Sequence, residues 1–252
     1  MFETLNAPPP SQDCEIACGD SLRILRDLPS GYCDMLLTDP PYCSGGLTRS
    51  ERRASPSVKY QQTGTRGLLN DFQGDARDER SFVLWCSLWM AECWRILSPG
   101  SSAVVFSDWR QLANTCDAIQ AGGFVFRGVI PWVKPSARPQ PNSFRADCEF
   151  AVWATKGDID RRPTPEAKYL PGHYEYAAPR EREHMNQKPV ALLRDLMAIC
   201  PEYGSVLDPF MGSGSTGVAC LETGRKFIGI EMEMHYYDVA RNRLLNATAE
   251  LD

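Results

Sequence analysis

The chain has 252 residues, 43% hydrophobic and 23% charged, with 27 Lys plus Arg against 32 Asp plus Glu and a formal charge of −5. A chain of this length buries roughly 70% or more of the surface its unfolded form exposes, which excludes a disordered or fibrous protein and leaves room for one core and a small appended lobe. No apolar run approaches the roughly 18 residues that cross a bilayer, and the polar, Pro-rich start from Met1 to Ser11 lacks the basic and apolar regions of an export signal. The 10 cysteines are scattered without a Cys-x-x-Cys pair and there are only 3 histidines, so reduced core thiols, no disulfide framework, no metal site and a cytoplasmic, membrane-free protein are expected.

In chain order, Cys14 to Ala17 reads as a short strand, and Leu22, Leu25 and Leu28 mark a helix that stops at Pro29. Cys33 to Thr38 is a continuous apolar run of strand length, closed by Asp39-Pro40-Pro41-Tyr42; it predicts a strand buried on both faces. Cys43 to Arg80 is polar and without periodicity, and is expected to be a long mobile loop, a kind of segment that is usually functional. A helix over Phe82 to Leu97, a strand over Ala103 to Phe106, a helix over Trp109 to Ala121 and strands over Phe124 to Val133 and Glu149 to Ala154 follow. Residues 135–184 carry a Pro- and Arg-rich interruption and read as a small insertion. Beyond it come a helix over Lys188 to Cys200, a strand over Ser205 to Asp208, a helix over Ser215 to Glu222, a strand over Phe227 to Glu231 and a closing helix over Tyr236 to Ala249. The alternation predicts βαβ order throughout one α/β domain, a mostly parallel, doubly wound sheet with helices on both faces.

Two segments carry chemistry. Asp208-Pro209-Phe210-Met211-Gly212-Ser213-Gly214-Ser215-Thr216 places a glycine-rich turn between a strand and a helix, and Glu231 ends the next strand. Backbone freed of Cβ atoms approaches a ligand closely there, and an acid at the following strand end suits ribose hydroxyls, so a nucleoside cofactor is implied. A phosphate loop would need a Gly-Lys-Ser/Thr that is not there, and a glycine-rich turn alone also serves as a purely structural turn. In the second segment, Asp39-Pro40-Pro41-Tyr42, two prolines fix φ and remove N–H donors, presenting a carboxylate, carbonyls and a ring in preset geometry. Such a surface suits an amino group on a planar base; alone, it also suits a strand-ending turn with a capping Asp.

Together these segments resemble the S-adenosylmethionine-dependent amino methyltransferases of DNA. Asp39-Pro40-Pro41-Tyr42 is similar to their catalytic (D/N/S)PP(Y/F) motif, and Asp208 to Gly214 to their DPFxGSG cofactor motif. The catalytic motif comes first, the order of the permuted β group. Cys18-Gly19-Asp20-Ser21 resembles the family's GD segment, His184-Met185-Asn186-Gln187-Lys188-Pro189 its H-x-x-Q-K-P segment, and Trp132 to Pro135 and Glu149 to Trp153 its strands beside the target-base pocket.

The resemblance implies a Rossmann-like methyltransferase fold with small DNA-contacting loops and a transfer from S-adenosylmethionine to the N6 amino group of adenine in a short double-stranded DNA site, with the base flipped out. Asp39 and the Pro40 carbonyl would accept the amino hydrogens, with Pro41 holding the turn and Tyr42 stacking on the base. Asp20, Asp39, His184, Gln187, Lys188, Asp208, Phe210, Gly212, Ser213, Gly214, Ser215, Thr216 and Glu231 would form the cofactor pocket. Although the total charge is acidic, Cys43 to Asn70 holds five basic residues and one acidic. The resemblance places DNA contacts in the two insertions, so Arg49, Arg52 and Arg53 of the first and Arg138, Arg145, Arg161 and Arg162 of the second are the candidate DNA contacts. The small insertion reads few base pairs, which favours a homodimer on a palindrome. The alternatives are N4-cytosine as target, an amino group of RNA or protein, or a DNA-binding module without catalysis.

Overall fold

A computed structural model describes residues 11–42, 79–137, 139, 141–159, 167–178 and 187–249. Their elements, in order, are β1 (Cys14–Cys18), α1 (Ser21–Asp27), β2 (Cys33–Thr38), α2 (Glu79–Ile96), β3 (Leu97–Ser107), α3 (Leu112–Ala121), β4 (Val125–Val133), β5 (Cys148–Thr155), β6 (Tyr174–Glu175), α4 (Val190–Met197), β7 (Ser205–Asp208), α5 (Ser215–Glu222), β8 (Lys226–Glu231) and α6 (Met234–Ala249). Eight strands form one sheet in the order β1-β8-β7-β2-β3-β5-β4-β6.

Strand periodicity divides the core into two layers. Along β2, Leu36 points into the cluster formed with Ile24, Leu25, Trp89 and Ile119, while Met35 and Leu37 point into the cluster formed with Leu192, Ala219 and Leu244. Helices α1, α2 and α3 therefore cover one face and α4, α5 and α6 the other. This double burial makes the central strands continuously apolar, as the run from Cys33 to Thr38 predicts. Each fully buried aliphatic side chain contributes about 1.5–3 kcal/mol.

The sheet is mostly parallel, as expected, but the βαβ order does not hold throughout: β5 runs antiparallel to both β3 and β4. The physical reason lies in the connection. No helix lies between β4 and β5 among the described residues, and a short link without a crossover can return only alongside its own strand. Both β5 and β6 fall within 135–184 and belong to the sheet.

Other boundaries move for local reasons. Strand β3 begins at Leu97 because Gly100, at φ 81°, donates to the Lys156 carbonyl at 2.8 Å and carries the Ser98-Pro99-Gly100 segment into the sheet. Helix α3 begins at Leu112 rather than Trp109 because the Asp108 carboxylate accepts from the N–H groups of Arg110 and Gln111, at 2.9 and 3.0 Å, and holds those residues in a turn. Helix α4 spans Val190–Met197, with Pro189 at its N-cap.

The described cysteines are free; Cys14, Cys33, Cys86, Cys93, Cys200 and Cys220 are buried, and burial pushes the Cys14 and Cys33 thiols up to about 12. Among the described residues, no helix is long and apolar enough to cross a membrane.

Candidate active site at the β2–β7 boundary

Chain order reverses where β2 meets β7. From β2 the sheet grows through β3 in one direction, and from β7 through β8 in the other. In open α/β sheets the crevice beyond the carboxyl ends of strands at such a point receives the ligand. Both sequence motifs end there: β2 leads into Asp39 and β7 ends in Asp208. A cleft is lined on one side by Thr38 and Asp39 and on the other by Phe210, Gly212 and Ser213, with Lys188 also on its wall.

The Asp39 turn is held by charge. Lys188, only 6% exposed, lies two residues before α4 and donates from Nζ to Asp39 Oδ2. The Tyr42 hydroxyl donates to Asp39 Oδ1, and Lys188 Nζ lies 3.3 Å from that hydroxyl. The same ammonium sits over the rings of Phe106 and Tyr42, 5.1 and 5.5 Å from their centroids. Burial raises the Asp39 carboxyl above the ordinary aspartate value, and the Lys188 ammonium opposes the rise. Burial also works against the Lys188 charge, but Asp39 and Glu149 outweigh it and the lysine lies above its ordinary value. A carboxylate offers about four lone-pair sites. With one bond taken on each oxygen, Asp39 keeps acceptor capacity on both.

Across the cleft, the glycine-rich turn uses its side chains mostly to build itself. Asp208 Oδ1 accepts from Thr38 Oγ1 at 2.6 Å and from the Phe210 N–H at 3.1 Å. Burial pushes the Asp208 carboxyl up to about 6, against hydrogen bonds from Thr216, Thr38 and Phe210. Arg243 of α6 reaches the Ser213 and Ser215 hydroxyls at 3.0 and 3.2 Å. The Phe210 ring packs on Trp85 and Trp89 of α2, 5.3 and 5.1 Å between centroids. Gly212 and Gly214 have φ of 50° and 80°, a region that favours glycine, and a Cβ on Gly214 would lie 3.0 Å from the Ala240 Cβ.

Glu231 closes this wall. Its Oε2 accepts from the Gly212 N–H and its Oε1 from the Glu233 N–H, each at 2.9 Å, and burial raises its carboxyl above the ordinary value. The Met232 N–H bonds this carboxylate as well, and of its about four lone-pair sites one is left for a ligand hydroxyl. Asp20 caps α1, accepting from the Arg23 N–H at 2.9 Å, and the neighbouring Gly19 N–H donates to the Glu231 carbonyl at 2.8 Å. Acceptor capacity at Glu231 suits a ligand hydroxyl and the two left-handed glycines allow close backbone approach, features that a nucleoside fits.

The structure thus brings Asp39, Gln187, Lys188, Asp208, Phe210, Gly212, Ser213, Ser215 and Thr216 to one cleft, with Glu231 bonded to its glycine turn. Of the arginines, Arg145 lies on the β4–β5 connection, half-exposed and paired with Asp147 at 3.0 Å. His184, Arg49, Arg52, Arg53, Arg138, Arg161 and Arg162 lie outside the described residues. Sequence reasoning gave no role to Glu149, which pairs with Lys188 at 3.3 Å and with Lys134, nor to Arg243. Glu149 and Lys134 were visible as charges next to apolar strands, the one signal that could have marked them.

Comparison with known proteins agrees with this geometry. A family profile described as DNA methylase, covering N6 and N4 enzymes, matches residues 33–242. YubD of Escherichia coli K12, a methylase by name, is 30% identical over 228 residues, 90% of this chain and 88% of its own. The type II methyltransferase M2.LlaDCHI of Lactococcus lactis subsp. cremoris is 27% identical over 244 residues, 89% of this chain and 87% of its own. The crystal structure of the M1.HpyAVI complex with S-adenosylmethionine superposes with a TM-score of 0.66 at 28% identity, covering 92% of this chain and 98% of that one. S-adenosylmethionine is accordingly the cofactor. With both family motifs facing one cleft and the family profile running from β2 into α6, this chain belongs to the DNA methylase family of N6 and N4 amino methyltransferases.

Proposed function

We propose that this protein methylates the N6 amino group of adenine within a short double-stranded DNA site, acting on a base flipped out of the helix, and that it belongs to the β group. The observation that carries the reading is the placement of Asp39, with spare acceptor capacity, across one cleft from the glycine-rich turn. Asp rather than Ser at the first motif position favours adenine over cytosine.

S-adenosylmethionine supplies an electrophilic methyl group on a sulfonium. The residues here deal with the amino nitrogen, whose lone pair is delocalised into the base. Asp39 and the Pro40 carbonyl accept its two hydrogens, which favours a tetrahedral nitrogen with its lone pair free. Hydrogen bonds to an ionised acceptor are roughly twice as strong as neutral ones. The nitrogen becomes acidic only after methylation, so Asp39 serves first as acceptor and afterwards takes the proton. Flipping costs a few kcal/mol, offset by stacking, a role this reading gives to the Tyr42 ring. In this reading Glu231 holds the ribose, Asp20 and Phe210 lie by the adenine, and His184, Gln187 and Lys188 border the methionine moiety. Residues 43–80 and the connections within 135–184 meet the DNA, with Arg145 the described candidate, and a homodimer spans a palindrome.

Expression of the chain and of Asp39→Ala in a host without adenine methylation, followed by single-molecule sequencing of the host genome, tests the reading. N6-methyladenine at one short motif, present only with the intact chain, is expected. N4-methylcytosine would overturn the adenine assignment. No modified base, from a protein that binds S-adenosylmethionine, would overturn duplex DNA as the substrate.

A further inference from the structure

Lys188 does not serve Asp39 alone. Its Nζ sits among three oxygens: Asp39 Oδ2, the Tyr42 hydroxyl at 3.3 Å and Glu149 Oε2 at 3.3 Å. Glu149 projects from β5 and its other oxygen accepts from Lys134, just beyond the end of β4. Glu149 Oε2 is buried 3.3 Å from the Lys188 ammonium, which it attracts chiefly by charge. Two carboxylates and two ammonium groups thus alternate, Asp39, Lys188, Glu149, Lys134, from the floor of the cleft towards the β4–β5 connection.

Taking a carboxylate and an ammonium out of water costs several kcal/mol per ion, and a buried ion pair does little for stability compared with apolar packing. Asp39 and Lys188 alone would already be neutral as a pair. A second buried pair beside them therefore calls for an explanation other than stability. An ammonium with one anionic neighbour can turn more than one of its three N–H groups onto that carboxylate. An ammonium shared between two anions divides its charge and its donors between them, here with the shorter contact to Asp39.

We propose that Glu149 is a positioning residue for the methyl transfer: from β5 it shares the Lys188 ammonium with Asp39, so that Lys188 fixes the Asp39 carboxylate without saturating it, leaving lone pairs for the amino group. The proposal rests on the function proposed above and adds a residue that neither catalytic nor cofactor motif contains. The charged and titratable groups facing Asp39 among the described residues are Lys188, Glu149 and Tyr42, with Asp208 on the same cleft and Lys134 behind Glu149.

The charges give opposite signs for different substitutions. Glu149→Gln removes a negative charge and lets Lys188 pair with Asp39 alone; both effects lower the pH at which Asp39 takes up a proton. Lys134→Gln, at a partly exposed position, removes a positive charge and leaves Glu149 to draw Lys188 away from Asp39; both effects raise that pH.

The test is carried out on the full-length protein and both variants, with two readouts. The Asp39 carboxyl resonance, identified by its loss in Asp39→Asn, is followed by carbon NMR through an acid titration. Turnover and KM for S-adenosylmethionine are measured with host DNA as acceptor. The expected result is a downward shift of the Asp39 midpoint in Glu149→Gln, an upward shift in Lys134→Gln, and a kcat for Glu149→Gln reduced by up to about 100-fold, the scale of a small misplacement, with KM unchanged. An unmoved Asp39 midpoint in either folded variant, or an unchanged kcat in Glu149→Gln, overturns the proposal. If wild-type protein transfers no methyl group to DNA, the function proposed above fails, while the titration still decides whether Glu149 and Lys134 govern Asp39.

Discussion

Thr38 Oγ1 donates a 2.6 Å hydrogen bond to Asp208 Oδ1, joining the ends of β2 and β7 where both side chains are buried. The two residues belong to different motifs, one preceding the catalytic turn and the other opening the cofactor turn. This bond ties the two turns together beyond the last β2–β7 backbone pair, Leu36 with Leu207.

Thr38→Val removes that donor while keeping the shape of the side chain. Asp208 is left with one fewer partner in a buried site, which costs about 1.5–3 kcal/mol, the range for hydrogen bonds to charged groups. Urea unfolding at neutral pH should show this loss, and Thr38→Ser should recover most of it. Equal stability of all three proteins would remove Thr38 from this role.

The Asp208 carboxyl, pushed by burial from 3.8 to about 6, makes stability depend on pH with a definite sign. Below about 4 the group is protonated in both folded and unfolded chains. Between about 4 and 6 the folded protein holds a proton that the unfolded chain has lost, so this contribution to stability declines as pH rises, by about 3 kcal/mol in all at 1.36 kcal/mol per unit. Asp208→Asn has no such slope. The difference in unfolding free energy, wild type minus Asp208→Asn, should fall across that interval; a difference independent of pH would contradict the assignment.

Gly214 opens α5 in the left-handed region at φ 80°, with Ala240 of α6 3.0 Å from where its Cβ would be. Gly214→Ala combines a backbone penalty of about 1–2 kcal/mol with displacement of α6, whose Arg243 holds Ser213 and Ser215. Weakened S-adenosylmethionine binding by calorimetry, by at least about tenfold at 1.4 kcal/mol per decade, is expected alongside reduced stability. Unchanged affinity would show that the turn tolerates the shift.

Much of this was readable in advance. The apolar run Cys33 to Thr38, the strand Ser205 to Asp208 and the helix Ser215 to Glu222 stand where periodicity and glycine put them, because strands buried on both faces and glycine-opened helices leave local signatures. The antiparallel return of β5 was not readable: an apolar strand carries no mark of its direction, which the connection decides. Nor does a motif reveal which lone pairs its residues have already spent. Asp208, Ser213 and Ser215 read as ligand groups, and in the structure they line the cleft while also bonding Thr38, Phe210 and Arg243. Glu149 becomes meaningful only through the sheet order, which puts β5 beside β3 and brings its carboxylate to Lys188.

The central claim is that Asp39 handles the amino group while the opposite wall holds the cofactor. Purified wild type and Asp39→Ala, compared for S-adenosylmethionine affinity by calorimetry and for transfer of a labelled methyl group to DNA, test it most directly. The account predicts transfer reduced by at least about 100–1,000-fold, the scale for loss of one preorganised polar partner, with cofactor affinity changed less than about tenfold. Transfer at the wild-type rate by Asp39→Ala, or loss of cofactor binding equal to the loss of transfer, would contradict it.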